Sequence, residues 1–160
     1  MTEQEHTPVV VIVDDEEMVL SSLSAFLRLE TDYRLETFLA PRDALAFARE
    51  RDVDIVVSDY LMPEMNGIEL LKGFREVRPH APRILLTGYA DKENAIKAIN
   101  EVGLFQYLEK PWDNDKLLLV MRNGIERMSL LRALEEKISE IDAAYGKLQG
   151  LQTDILKTFI

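Results

Sequence analysis

Two runs of apolar, β-branched residues do most to limit what this chain can become. Val9-Val10-Val11-Ile12-Val13 has no polar residue to turn towards water, and Ile55-Val56-Val57 repeats the pattern. Successive side chains of a strand point to opposite faces. A strand without alternation must be covered on both, which is the condition of a parallel sheet flanked by helices. Both runs end in acid. The first enters Asp14-Asp15-Glu16-Glu17; the second enters Ser58-Asp59, with Pro63 and Gly67 following within eight residues as turn signals.

The remaining elements fall into place around these runs. Val19, Leu20, Leu23, Phe26 and Leu27 recur at helical spacing after the first strand. Tyr33–Phe38 reads as a second, less apolar strand. Pro41 suits a first helical turn, and Ala44, Leu45, Phe47 and Ala48 give that helix its apolar side. Ile68, Leu71 and Phe74 stripe a third helix, closed by Pro79 and Pro82. Arg83–Thr87 is a fourth strand ending at Gly88. Ala95, Ile96, Ile99 and Val102 give a fourth helix, and Phe105–Leu108 a short fifth strand running into Lys110-Pro111. A helical pattern resumes near Asp113. Strand and helix thus alternate five times, which predicts the α/β class, with right-handed βαβ crossovers and helices on both faces of a parallel sheet. A segregated α+β layout fits the apolar first, third and fourth strands less well.

Composition closes several alternatives. There are no cysteines, so disulfides and thiolate metal sites are excluded, and His6 and His80 are the only histidines. His80, between two prolines, is expected at the surface. No apolar run approaches the roughly 20 residues of a membrane span, and Met1–Pro8 is a polar lead rather than a secretory signal, so a cytoplasmic protein is expected. The net charge is −10; residues 113–160 hold 8 acidic and 7 basic side chains, leaving −9 on residues 1–112. That acidity disfavours direct nucleic-acid or membrane binding by the front of the chain.

Setting the strand ends side by side gathers a set of groups at the carboxyl edge, where ligands of open α/β sheets bind. The first strand delivers Asp14 and Asp15, the third Asp59, the fourth Thr87 and the fifth Lys110. Three carboxylates in one pocket repel and raise one another's pKa. A hard divalent cation relieves that repulsion, and carboxylate oxygens are ligands that Mg²⁺ prefers. Metal, ammonium and hydroxyl together can hold a phosphoryl group in transfer, with a carboxylate as nucleophile. Taken singly, each motif has an ordinary reading: the acidic triplet as a helix cap, Thr87-Gly88 as a turn, Lys110-Pro111 as a loop, Tyr107 as a core aromatic. Met62, Met65 and Trp112 read as packing residues.

Four phrases in this order, VDDE (Val13–Glu16), SDYLMPEMNG (Ser58–Gly67), LTGY (Leu86–Tyr89) and YLEKPW (Tyr107–Trp112), resemble the receiver domain of two-component response regulators, over roughly Val9–Met128. The resemblance implies a doubly wound, flavodoxin-like parallel sheet of order 2-1-3-4-5. It implies that Asp59 accepts phosphate from a histidine kinase or phosphotransfer protein. It further implies that Asp15, Asp59 and the backbone carbonyl of Leu61 ligate Mg²⁺ (or Mn²⁺), and that Asp14 holds a metal-bound water. Lys110 would pair with the phosphoryl group, and Pro111 would follow a cis peptide bond. Thr87 and Tyr107 would form the switch, Gly88 would admit the phosphoryl group, and Leu61 and Tyr89 would tune the acyl-phosphate lifetime. Such a domain signals; its only chemistry is self-phosphorylation and self-dephosphorylation at Asp59. A haloacid-dehalogenase-type phosphohydrolase is the enzyme alternative, but it needs a second Asp where this chain has Leu61. A phosphorylation-independent scaffold would usually have lost one of the five site residues.

The last helix does not stop where a receiver's would, near Met128 or Leu131. Leu131, Leu134, Ile138, Ile141, Tyr145 and Leu148 alternate spacings of three and four, a coiled-coil seam. Ile155 and Phe159 continue it after a change of register around Leu151, and Gly146 and Gly150 weaken it. The expected organisation is a receiver over 1–128 and, over 129–160, an extended helix that forms a homodimeric, parallel two-stranded coiled coil with a second copy and leads to an output domain outside this chain; a helix folded back on its own receiver is the alternative. The KPWDND phrase (Lys110–Asp115) before a long helix looks similar to receivers that precede HD-type cyclic-dinucleotide phosphohydrolases.

Overall fold

The computed structural model describes residues 6–88 and 92–159. Tyr89 lies outside them, as do the first five residues of the lead and Ile160. The elements run β1 (Val9–Val13), α1 (Glu17–Glu30), β2 (Arg34–Phe38), α2 (Pro41–Glu50), β3 (Ile55–Asp59), α3 (Gly67–Val77), β4 (Arg83–Thr87), α4 (Lys92–Val102), β5 (Gln106–Glu109) and α5 (Asn114–Phe159). The five strands form one sheet, all pairs parallel, in the order β2-β1-β3-β4-β5. This is the flavodoxin-like order.

The apolar runs behave as their lack of alternation requires. Val10, Ile12, Ile55, Val57, Ile84 and Leu86 belong to one buried cluster, with residues of α1 and the start of α5. Val11, Val13, Val56 and Leu85 belong to the other, with residues of α2, α3 and α4. Odd and even positions of one strand therefore face different helical layers, and each such side chain contributes about 1.5–3 kcal/mol when fully buried. The edge strand β2 has half-buried and exposed positions instead.

Local signals set the helix starts. Pro41 opens α2. The Asn66 side chain caps α3, accepting the Glu69 N–H at 2.9 Å. Gly103, at φ +65°, follows α4 in the left-handed conformation that suits a helix end. In α4, Val102 is buried as expected and Ala98 with it, while Ile96, expected on the same side, is 47% exposed; the side chains of Ala95 and Ile99 lie outside those described. Val102 follows Ala98 by four residues and so shares its face, whereas Ile96 precedes Ala98 by two and turns outward.

The chain divides into two units, Met1–Met128 and Ser129–Ile160. Within the second, α5 continues without interruption through Leu151 to Phe159. The expected change of register is not needed. Ile155 follows Leu148 by seven residues and Phe159 follows Gln152 by seven, so one heptad frame persists with Gln152 as a polar seam position. Leu151 lies beside the seam rather than in it. No helix among the described residues is long and apolar enough to cross a membrane.

Candidate functional site

Backbone hydrogen bonds extend the sheet past its strand ends and fix the loops that carry the site. Asp14 N–H donates to Phe38 O at 3.2 Å, Tyr60 N–H to Leu86 O at 3.0 Å, and Lys110 N–H to Thr87 O at 2.8 Å. Asp14 follows β1 directly and Asp59 ends β3, on adjacent strands. One step further across the sheet Asp59 pairs with Leu86, which places Thr87 one residue beyond it on β4. The Lys110–Pro111 peptide bond is cis, as the resemblance implied.

The side chains meet at this edge. Lys110 Nζ lies 2.9 Å from Asp59 Oδ1 and 3.2 Å from Asp14 Oδ2. Asp14, Asp15 and Asp59 each offer a carboxylate oxygen within 4.8 Å of the others'. Asp14 is fully buried, Asp59 is 8% exposed and Asp15 faces solvent. The acidic triplet is not acting as a simple helix cap: Glu16, the N-cap of α1, makes no side-chain capping bond. Instead Asp14 Oδ1 accepts the Glu16 N–H at 2.9 Å.

The charges are unevenly satisfied. Burial pushes the Asp14 carboxyl above the usual carboxylate range; the Asp59 charge adds to this, against the Glu16 N–H and Lys110. Burial alone would lower the Lys110 pKa, but the carboxylates of Asp59 and Asp14 outweigh it and leave it raised. Lys110 thus serves two of the three clustered acids, Asp14 and Asp59. Thr87 Oγ1 is buried and has no hydrogen-bond partner among the described residues, although buried hydroxyls normally find one. An all-oxygen cluster of three carboxylates, with the Thr87 hydroxyl on the next strand end, fits a hard divalent cation and an anionic oxygen ligand.

Tyr107 sits on β5 opposite Leu85, half-buried against the α2–α3–α4 side of the core. The Leu61 side chain is 60% exposed in the β3–α3 loop. Met62, Met65 and Trp112 pack partly buried against the core, and His80 is exposed.

Residues 10–122 match the family described as response regulator receiver domain. The chain belongs to this family. The hydrogenase transcriptional regulatory protein HoxA of Cupriavidus necator is 35% identical over 121 residues, covering 76% of this chain and 25% of that protein. The regulatory protein AtoC of Escherichia coli is 36% identical over 135 residues, covering 81% of this chain and 28% of that one. The chain therefore spans about a quarter of the length of these relatives. Among solved structures, the signal receiver domain of an HD domain-containing protein from Pseudomonas fluorescens Pf-5 superposes with a TM-score of 0.73 at 36% identity, covering 78% of this chain and 98% of that one.

Two receiver features escaped the sequence reading. Gly67 N–H donates to Tyr60 O at 2.7 Å, and a Cβ there would stand 2.1 Å from Asp59 O. Gly67 is thus the residue that lets α3 close against the acidic strand end. Its place in the sequence, as a turn signal and as the end of the SDYLMPEMNG phrase, carries no indication of this close packing. Secondly, the Tyr60 N–H donates to Asp59 Oδ1 at 2.9 Å, which no side-chain pattern could have indicated.

Proposed function

We propose that residues 1–128 are the phosphoacceptor module of a cytoplasmic two-component response regulator, with Asp59 as acceptor and a histidine kinase or phosphotransfer protein as donor. The observation that carries this reading is Lys110 Nζ within 3.2 Å of both Asp14 and Asp59, with Thr87, whose hydroxyl has no hydrogen-bond partner among the described residues, one residue beyond Leu86 on the strand next to Asp59. Lys110 and the Tyr60 N–H both engage Asp59 Oδ1 and fix the carboxylate's orientation. Oδ2 then forms the bond to phosphorus as the bond from phosphorus to the donor's imidazole nitrogen breaks, its electron pair leaving on that nitrogen. Lys110 balances charge on the phosphoryl oxygens, and the Thr87 hydroxyl donates to one of them. Asp14, Asp15, Asp59 and the Leu61 carbonyl would hold Mg²⁺ or Mn²⁺, which supplies positive charge against the same oxygens. Movement of Thr87 draws Tyr107 inward and alters the β4–α4–β5 face. We assign residues 129–160 as a helical linker that pairs with a second copy and transmits the switch to an output domain. The solved relative named for its HD domain supports an output of that kind.

The test is intact mass after incubation with Mg²⁺ and a small acyl-phosphate donor, with Asp59→Asn alongside. One phosphoryl group on the wild type and none on the variant is the expected result. Stoichiometric addition to a folded Asp59→Asn protein would refute the assignment.

A further inference from the structure

The carboxyl edge of the sheet is acidic; the opposite edge carries arginine. Helices that cross over between parallel strands run against them, so their last turns lie at the amino edge. Arg28, Arg49 and Arg75 occupy the last turns of α1, α2 and α3, where a cation complements the helix dipole. Around the turn from α4 to β5 the dipole is not a sufficient reason, because three elements bring an arginine to the one turn. From α3, Arg75 Nη1 donates to Glu101 O at 2.9 Å. From the start of β4, Arg83 Nη2 donates to Gly103 O at 3.0 Å. From α5, the Arg127 guanidinium carbon lies 5.7 Å from the centre of the Phe105 ring.

This cluster lacks counter-charge. Among the described residues none of the three arginines pairs with a carboxylate, and the acid of the turn itself, Glu101, lies 3.5 Å from Lys72 Nζ. Arg83 is the innermost of the three. Its Nη1 donates to Pro79 O and Ala81 O, both at 3.3 Å, and its buried Nε has no hydrogen-bond partner among the described residues. Burial, then the charges of Arg75 and Arg127, push the Arg83 pKa down, as expected of a cation held beside cations. Arg75 and Arg127 are exposed. Arg75 spends one of its five N–H donors on the turn, and Arg127 is held through its contact with an aromatic ring, so both keep N–H groups for a ligand.

We propose that the α4–β5 turn is an oxyanion site whose ligand is a phosphate group carrying at least two negative charges. Guanidinium forks match phosphate oxygens two at a time, and a single negative charge would leave most of the cluster unbalanced. The ligand docks against Arg75 and Arg127 at the surface, with Arg83 adding charge from behind. The site is at the edge away from Asp59 and stands apart from the phosphoacceptor reading.

The test titrates the full chain, in chelator and at fixed ionic strength, with inorganic pyrophosphate and separately with a nucleoside triphosphate (ATP), following backbone amide NMR signals. Saturable shifts of Gly103, Leu104 and Phe105 are expected. Arg75→Gln and Arg127→Gln should each weaken binding by about tenfold or more, while Arg49→Gln, at another helix end, should leave it unchanged. All three side chains are exposed, so the fold should hold in each variant. Tighter binding of ATP than of pyrophosphate assigns the phosphate to a nucleotide; equal or weaker binding of ATP assigns it to the free ion. Shifts that stay linear, saturation centred on Asp59, or one affinity across all the variants would overturn the site. Binding of a polyglutamate peptide with no response to either phosphate would overturn it in favour of an acidic protein partner.

Discussion

Replacing Gly67 with alanine tests how closely the first turn of α3 is set against the phosphoacceptor strand. The added Cβ would lie 2.1 Å from Asp59 O, 2.8 Å from Leu85 Cδ1 and 3.0 Å from the Asp59 carbonyl carbon. None of these can yield cheaply. The carbonyl also accepts the Ser58 hydroxyl at 2.9 Å, and Leu85 is fully buried. Reaching ordinary van der Waals separation requires α3 to retreat by about 1 Å. Overpacking of this kind costs about 1–3 kcal/mol. Weakening the 2.7 Å hydrogen bond from Gly67 N–H to Tyr60 O adds about 1 kcal/mol. The gain from alanine's smaller unfolded-state entropy offsets up to about 1 kcal/mol. The net expectation is a loss of roughly 2–3 kcal/mol, read as a lower urea midpoint at unchanged slope. Displacing the Asp59 backbone also shifts its carboxylate relative to Lys110, so phosphoryl uptake should slow by about tenfold or more. An unfolding free energy within about 0.5 kcal/mol of wild type, the range of neutral surface changes, would refute the clamped geometry.

The same substitution should act in the opposite direction where the site is open: nothing lies within 4 Å of a Cβ at Gly146, so Gly146→Ala should stabilise the tail helix by about 1 kcal/mol, seen as a higher melting temperature of its helical signal. Asn66→Ala removes the cap of α3 and should cost about 1 kcal/mol in urea unfolding. Asp14→Asn should raise the unfolding midpoint of the metal-free protein, in chelator at neutral pH, while abolishing phosphoryl uptake. The sign follows from burial: a folded-state pKa raised above 3.8 means that the ionised carboxylate weakens the fold, an effect absent below the unfolded value and growing as pH rises through the folded one. The difference between wild type and Asp14→Asn should therefore vanish towards pH 3; a constant difference across pH would contradict it.

The class of fold, and the edge at which the candidate site residues gather, are legible in the order of the residues. Five strands that alternate with helices, three of them apolar without alternation, leave few arrangements except a parallel sheet covered on both sides. Strand ends share one edge of such a sheet, so the positions of Asp14, Asp59, Thr87 and Lys110 at that edge follow from the strand pattern alone. The tail was legible for the same reason, since heptad spacing is a property of a single helix.

How these groups meet depends on contacts between distant parts of the chain. That Lys110 bridges Asp14 and Asp59 depends on the loops held by Lys110 N–H to Thr87 O and Asp14 N–H to Phe38 O. These bonds join residues far apart in the chain and leave no periodic trace in it. Gly67 was invisible as a packing residue because its importance lies in an atom it lacks. Whether a missing Cβ matters is settled by the backbone that comes to stand beside it, and that backbone belongs to another element.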